Sequence, residues 1–298
     1  MKNFTRTETI RPLSSLLSRV TFHESSLLEK ASVEAVLARD GLCTVITDVT
    51  PFHPRDYRWP DQPEDTGVME CGGRAFRLED AVYVALSPEG EFFSDGDIPV
   101  KKDSPGWRYF AGHVISTDGA EIAPGKAVSL SVDEDRRKYL SRAHSASHLM
   151  GLALNRTLSR LWRKDPGNPD GLGFPNFDSM AMERSKIDLL SVTDKYHMGK
   201  SLRKKGFEKD ELVSDPQSFG EKLNELVSAW LARPSPITIR AENYELTGRR
   251  FWSTTLGGVT AEIPCGGTHA RGISDIGTVS CSLEIPDGET LIIRTTVR

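Results

Sequence analysis

The alternation of apolar and polar positions changes character once along the chain, near residue 132. Before that point the apolar residues come in short clusters separated by turn signals. Val33, Ala35, Val36 and Leu37, then Cys43-Thr44-Val45-Ile46, predict two strands around Arg39-Asp40-Gly41. Further short strands are expected over 75–78, 81–86, 108–115 and 127–132. They are punctuated by Pro88-Glu89-Gly90, Asp95-Gly96, Pro105-Gly106 and Pro124-Gly125. Residues 1–20 are polar and unpatterned and read as an extension or arm. The proline- and aromatic-rich stretch 50–63 has no regular period, and Asp65-Thr66-Gly67 closes it with a tight turn. Short strands with no helices between them predict a small β-barrel or sandwich.

After residue 132 the period becomes helical. Leu149, Leu152, Ala153, Leu158, Leu161 and Trp162 recur at helical spacing within 134–163, and Asp165-Pro166-Gly167 ends the run. Residues 165–178 are expected to be loop, 182–192 a strand, and 194–215 charged and irregular. A second helix is expected from Ser218, with Glu221 three residues on as a capping box. Its stripe of Phe219, Leu223, Leu226, Val227, Trp230 and Leu231 suits a core-facing side, and Pro234 and Pro236 stop it. Strands are expected over 237–244, 251–255, 278–284 and 291–297. The fold class is therefore α+β. A small β-barrel-like domain spans residues 1–132, and 133–298 packs helices on an antiparallel sheet.

Composition narrows the class of protein. At 298 residues the chain is long for one core, in keeping with two domains. A net charge of −4 argues against a general nucleic-acid binder and leaves room for a local patch. The densest basic run is 200–209, and a solvated loop or helix face is the better explanation of it on charge alone. No run approaches the ~20 apolar residues of a membrane span. The first twenty residues lack the apolar centre of a signal peptide. Four cysteines do not make a disulfide framework, so a reducing, cytoplasmic address is expected.

The candidate chemistry lies in two short stretches. His144 and His148 form His-x-x-x-His within the first helix, where residues four apart share a face. Cys265 and His269 form Cys-x-x-x-His around Gly266-Gly267-Thr268. Either pair alone is better explained by coincidence or a surface pair. Together, with weakly charged surroundings and a glycine pair that admits close backbone approach, they point to one ion held by three imidazoles and a thiolate. That donor set favours zinc over calcium or magnesium. Four protein ligands leave three arrangements open: one does not bind, the ion becomes five-coordinate, or it orients a substrate amino group. Gly266, Gly267 and Thr268 are candidates to offer N–H groups and a hydroxyl to a substrate. His113 reads as a satisfied structural histidine. His23, His53 and His197 have no partner in the pattern. Cys43 and Cys281 read as buried thiols, and Cys71-Gly72-Gly73, lacking a following histidine, as a turn.

These landmarks resemble the free-standing alanyl-tRNA editing proteins (AlaX type), related to the editing domain of alanyl-tRNA synthetase. The similarity runs in order through Phe22-His23-Glu24 and the Asp48–Pro54 run. It continues through Asp61-Gln62-Pro63, Gly112-His113-Val114 and the His144/His148 helix to Cys265–His269 with Asp275-Ile276-Gly277. Arg55–Pro60 stands where the family has a glycine-rich run. The resemblance implies a zinc-dependent hydrolase that deacylates mischarged Ser- or Gly-tRNA(Ala) in trans, with His144, His148, Cys265 and His269 at the reacting centre. It implies the tRNA acceptor end as partner, and places a substrate-recognising polar side chain near Asn176 and Asp178. The residues leave two other readings open: a metal-dependent hydrolase of another ester or amide, and a non-catalytic zinc-stabilised binding module.

Overall fold

The computed structural model describes residues 4–16, 18–39, 41–116 and 122–298, and its contacts fall into two compact units. Asp40, the centre of the expected Arg39–Gly41 turn, lies outside the described residues. The first unit comprises Met1–Arg137 with Ala241–Arg249 and Gly266–Thr268; the second comprises Lys138–Arg240, Arg250–Cys265 and His269–Arg298.

The first unit is built on antiparallel strands β1 (Arg6–Thr9), β2 (Leu28–Arg39), β3 (Leu42–Thr47), β4 (Gly67–Cys71), β5 (Arg74–Leu86), β6 (Arg108–Ser116) and β7 (Ala127–Val132). The pairings run β2–β7–β4–β5–β6–β3 and return from β3 to β2. Two long strands make that path possible. In β2, residues 28–32 pair with β7 and residues 33–39 with β3, with a register shift between Val33 and Ala35. In β5 the switch from β4 to β6 falls at a shift between Leu78 and Asp80. Such irregularities bend a strand and let each end serve a different neighbour. The arm expected over 1–20 is in part strand, because β1 adds to β2 through backbone bonds that polar side chains do not prevent. The expected Cys71–Arg74 turn joins β4 to β5, with Gly72 and Gly73 at φ 57° and 80°.

Alternating side chains fill two clusters. Val33, Val45, Phe52, Met69, Ile115 and Leu130 form one, and Ala35, Leu37, Ile46, Val84, Leu86 and Phe110 another. Three polar groups inside this unit are fully paired. Arg137 donates to both carboxylate oxygens of buried Asp65, and its guanidinium also reaches the Pro51 carbonyl at 2.7 Å. Gln62 donates to the Thr268 hydroxyl at 2.9 Å and accepts the Thr268 N–H at 3.0 Å. His113 is wholly buried. Its Nδ1 faces the Val45 carbonyl and its Nε2 the Thr50 hydroxyl, each at 2.8 Å. A carbonyl only accepts, so Nδ1 carries the proton and Nε2 accepts from Thr50.

The second unit holds α1 (Glu134–Leu158, its first turn counted with the first unit), α2 (Phe177–Ala181), α3 (Lys200–Lys204), α4 (Asp210–Ser214) and α5 (Pro216–Leu231). A four-stranded antiparallel sheet orders β8 (Met182–Asp188), β9 (Ser191–His197), β13 (Thr290–Val297) and β12 (Val279–Glu284), and β10 (Arg250–Leu256) pairs with β11 (Val259–Pro264). Helix α5 packs on β12 and buries Phe219, Leu223, Val227 and Trp230. The Asn224 side chain fixes that contact, bridging the Cys281 carbonyl and N–H at 2.8 Å each.

Several local expectations change. The cap of α5 is Asp215, which accepts the Ser218 N–H at 3.1 Å, because Pro216 pre-sets helical φ two residues earlier than Ser218. The single strand over 182–192 is a hairpin turning at Leu189-Leu190, with Leu190 at φ 58°. The stretch 194–215, expected to be irregular, holds the end of β9, α3 and α4. The return strand β11 follows Gly257-Gly258 and went unassigned in the sequence pattern. Cys281 is buried as expected, whereas Cys43 is only half-buried. The mixed α+β character holds, with antiparallel sheets apart from a short parallel pairing of Arg19-Val20 with Val49-Thr50.

Burial lowers the pKa of His113 from 6.5 to about 4. Below pH 6.5 the unfolded chain takes up a proton that the folded chain refuses, so stability falls with pH through the 6.5–4 window. The expected loss is about 3 kcal/mol. A His113→Gln variant titrated by urea denaturation at pH 7.5 and 4.5 should show a smaller difference between the two pH values than the parent.

Candidate metal centre

Helix α1 places His144 and His148 one turn apart, and its buried neighbours Ala143, Ala146, Leu149 and Met150 leave it enclosed on most sides. The β10–β11 hairpin delivers Cys265. Its last ladder pair is Phe251–Pro264, and the Cys265 N–H then donates to the Arg250 carbonyl at 2.9 Å. His269 follows four residues later. The ligand atoms of His144, His148, Cys265 and His269 all lie within 4.8 Å of one another. Cys265 Sγ is 3.3 Å from His144 Nε2 and 3.3 Å from His269 Nε2. The two 3.3 Å separations come near the edge of a tetrahedron with bonds of about 2.0–2.3 Å. The His144 ring centroid is 4.9 Å from that of His148 and 4.3 Å from that of His269.

Two features fit a bound ion. The Nε2 atom of His148 is buried and has no hydrogen-bond partner among the described residues. Burial lowers its pKa to about 4, so the imidazole is neutral and its lone pair free for coordination at neutral pH. Nitrogen and sulfur donors suit a transition ion and not calcium or magnesium. Wholly buried Trp252 packs its ring 5.1 Å from His148 and keeps this side dry.

Ser145 orients one ligand. Its Oγ accepts the Ala270 N–H at 3.0 Å and lies 3.4 Å from His269 Nδ1. Were Nε2 to hold an ion, Nδ1 would carry the proton and donate to that hydroxyl.

A cleft of about 490 Å³ opens beside His148, between α1, the 168–179 loop and the end of β11. Asn155 ties the loop down from α1. Its amide nitrogen reaches Asp170 Oδ2 at 3.0 Å, and its oxygen accepts the Asp178 N–H at 2.8 Å. Gly171 is needed there, since a Cβ would sit 2.8 Å from the Glu262 backbone. Of the anticipated substrate residues, Asn176 caps α2 through the Ser179 N–H, and Asp178 lines the cleft. Thr268 lies in the first unit with its N–H and hydroxyl on Gln62, and Gly266 is exposed. The sequence reading gave Ser145 no role, and Asn155, Trp252 and Gly151 were missed. Asn155 did leave a signal: it is a polar residue one heptad past His148 on the same helix face.

Removing the Ser145 hydroxyl frees the His269 ring to rotate. A Ser145→Ala variant should bind zinc about 10–100-fold more weakly than the parent in a calorimetric titration.

No protein-family model matches the chain. It is similar to the alanine–tRNA ligase of Ruegeria pomeroyi, 26% identical over 251 residues, covering 81% of this chain and 24% of that enzyme. The alanine–tRNA ligase of Akkermansia muciniphila is 25% identical over 282 residues, covering 91% and 25%. That of Desulfosudis oleivorans is 24% identical over 235 residues, covering 78% and 22%. The chain spans about a quarter of the length of these curated relatives. Along most of its own length it is a relative of the alanine–tRNA ligases, in keeping with the alanyl-tRNA editing family that its motifs resemble.

Proposed function

We propose that the protein is a zinc-dependent hydrolase that removes serine or glycine wrongly esterified to alanine tRNA, acting in trans and in the cytoplasm. The observation that carries this reading is the convergence of three imidazoles and a thiol at the edge of a cleft lined by ligand His148. Kinship with alanine–tRNA ligases supports the choice of substrate. In this reading residues 1–132 are an N-terminal domain and 133–298 the hydrolase domain, and the returning strand pairings of the first unit close a small barrel.

The overall reaction adds water across the ester bond, releasing the free amino acid and the tRNA terminal hydroxyl. Zinc, when bound, would polarise the ester carbonyl and bring the pKa of a bound water to ~7. His144, His148, Cys265 and His269 would hold it, with Ser145 fixing the His269 ring. Trp252 would exclude bulk water from the His148 side. The acceptor end is single-stranded and would be held by stacking and local cations. Trp59, 43% exposed, with Arg58 lying over Tyr57, offers such a platform in the first unit. The basic run 200–209 is a second candidate contact.

One observation favours a second reading. Four protein ligands are the usual complement of a structural zinc, whereas a catalytic one keeps an open position. That reading makes the chain a zinc-stabilised binding module.

Incubating zinc-loaded protein with Ser-tRNA(Ala) and Gly-tRNA(Ala) separates the two. Release of free amino acid is expected, and His148→Ala should lose both bound zinc and turnover. Undiminished turnover by the zinc-free variant contradicts the proposal. Stoichiometric zinc without hydrolysis favours the binding module, and hydrolysis of small aminoacyl esters with none on tRNA favours a different substrate.

A further inference from the structure

The cleft beside His148 carries three carboxylates and no lysine or arginine. Two of them are already engaged. Asp170 spends Oδ1 on the Leu172 and Phe174 N–H groups, at 2.9 and 3.0 Å, and Oδ2 on Asn155 at 3.0 Å. Glu262 faces Arg240 with both oxygens at 3.2 Å. Asp178 differs. Its side chain receives one neutral donor, the Tyr196 hydroxyl at 2.7 Å on Oδ1, and no cation pairs with it among the described residues.

The fold makes room for this carboxylate against α1. Gly151, on the turn after His148, has no side chain where a Cβ would stand 3.2 Å from Asp178 Cγ and Oδ2. Asp178 is itself fixed from behind, by the Asn155 bond to its N–H and by its place in the first turn of α2. One helical turn is about 5.4 Å of rise, so the carboxylate stands a single turn along from a metal ligand. Burial, with Asp170 nearby, raises the pKa of this carboxyl above its ordinary value, as befits a group whose counter-charge is missing.

We infer that Asp178 is the specificity residue for a positively charged substrate group, the α-ammonium of an aminoacyl ester whose carbonyl lies at the metal centre. The inference rests on the proposed ester hydrolysis and adds to it a demand for a free amine. In an aminoacyl ester the amine is one carbon from the reacting carbonyl, so both must fit a short span. A carboxylate without its own cation, one turn from a metal ligand, meets that constraint. Gly151 admits the carboxylate, and the Tyr196 hydroxyl holds its second oxygen.

The test compares a seryl ester of tRNA(Ala) with the N-acetylseryl ester of the same tRNA, for the parent, Asp178→Asn and Gly151→Ala. The parent should prefer the free amine by about tenfold or more in kcat/KM. Asp178→Asn keeps an acceptor for Tyr196 and should bring that preference close to one, chiefly through KM, with zinc content unchanged. Gly151→Ala displaces the carboxylate without removing it and should lower the preference part of the way. It also serves should Asp178→Asn fail to fold. A preference retained in both variants, or absent from the parent, overturns the inference while leaving ester hydrolysis intact. No hydrolysis of either ester by the parent overturns the proposed function on which it rests.

Discussion

Three imidazoles and a thiol held within 4.8 Å of each other form a costly arrangement for a folded chain without an ion. Buried polar atoms need partners, and His148 Nε2 has none among the described residues. A coordinated metal would remove that penalty and convert binding energy into folding energy. Much of the second unit makes sense as the means of bringing these atoms together. Helix α1 presents two candidate ligands from one face. The β10–β11 hairpin carries the third to its end, and Ser145 lies against the fourth.

The four candidate donors were legible in the sequence as two pairs because the spacing within each pair is local: residues four apart on a helix meet whatever the rest of the chain does. The segregation into a strand-rich first half and an α+β second half was also readable, since each follows a short-range period. What escaped was set by distant contacts or by backbone alone. The Leu189-Leu190 turn carries no glycine, asparagine or proline, so the β8–β9 hairpin looked like one strand. Strand β1 is polar and joins its neighbour through main-chain bonds. The bends at Val33–Ala35 and Leu78–Asp80, which let β2 and β5 each serve two partners, leave no mark in composition.

The polar residues around the cleft show the same division. Asp170 and Asn176 sit in the 165–178 loop, and much of their hydrogen bonding shapes the loop itself. Asn155, on the helix, anchors that loop from across the cleft. A loop clamped in this way can present one side chain in a fixed position, which a mobile loop cannot.

The central claim is that these four side chains bind one ion. X-ray absorption at the zinc edge of the purified, zinc-loaded protein tests it directly. The account expects one metal per chain with three nitrogens at about 2.0–2.1 Å and one sulfur at about 2.3 Å. A shell of oxygen ligands without sulfur, or no stoichiometric metal at all, contradicts it.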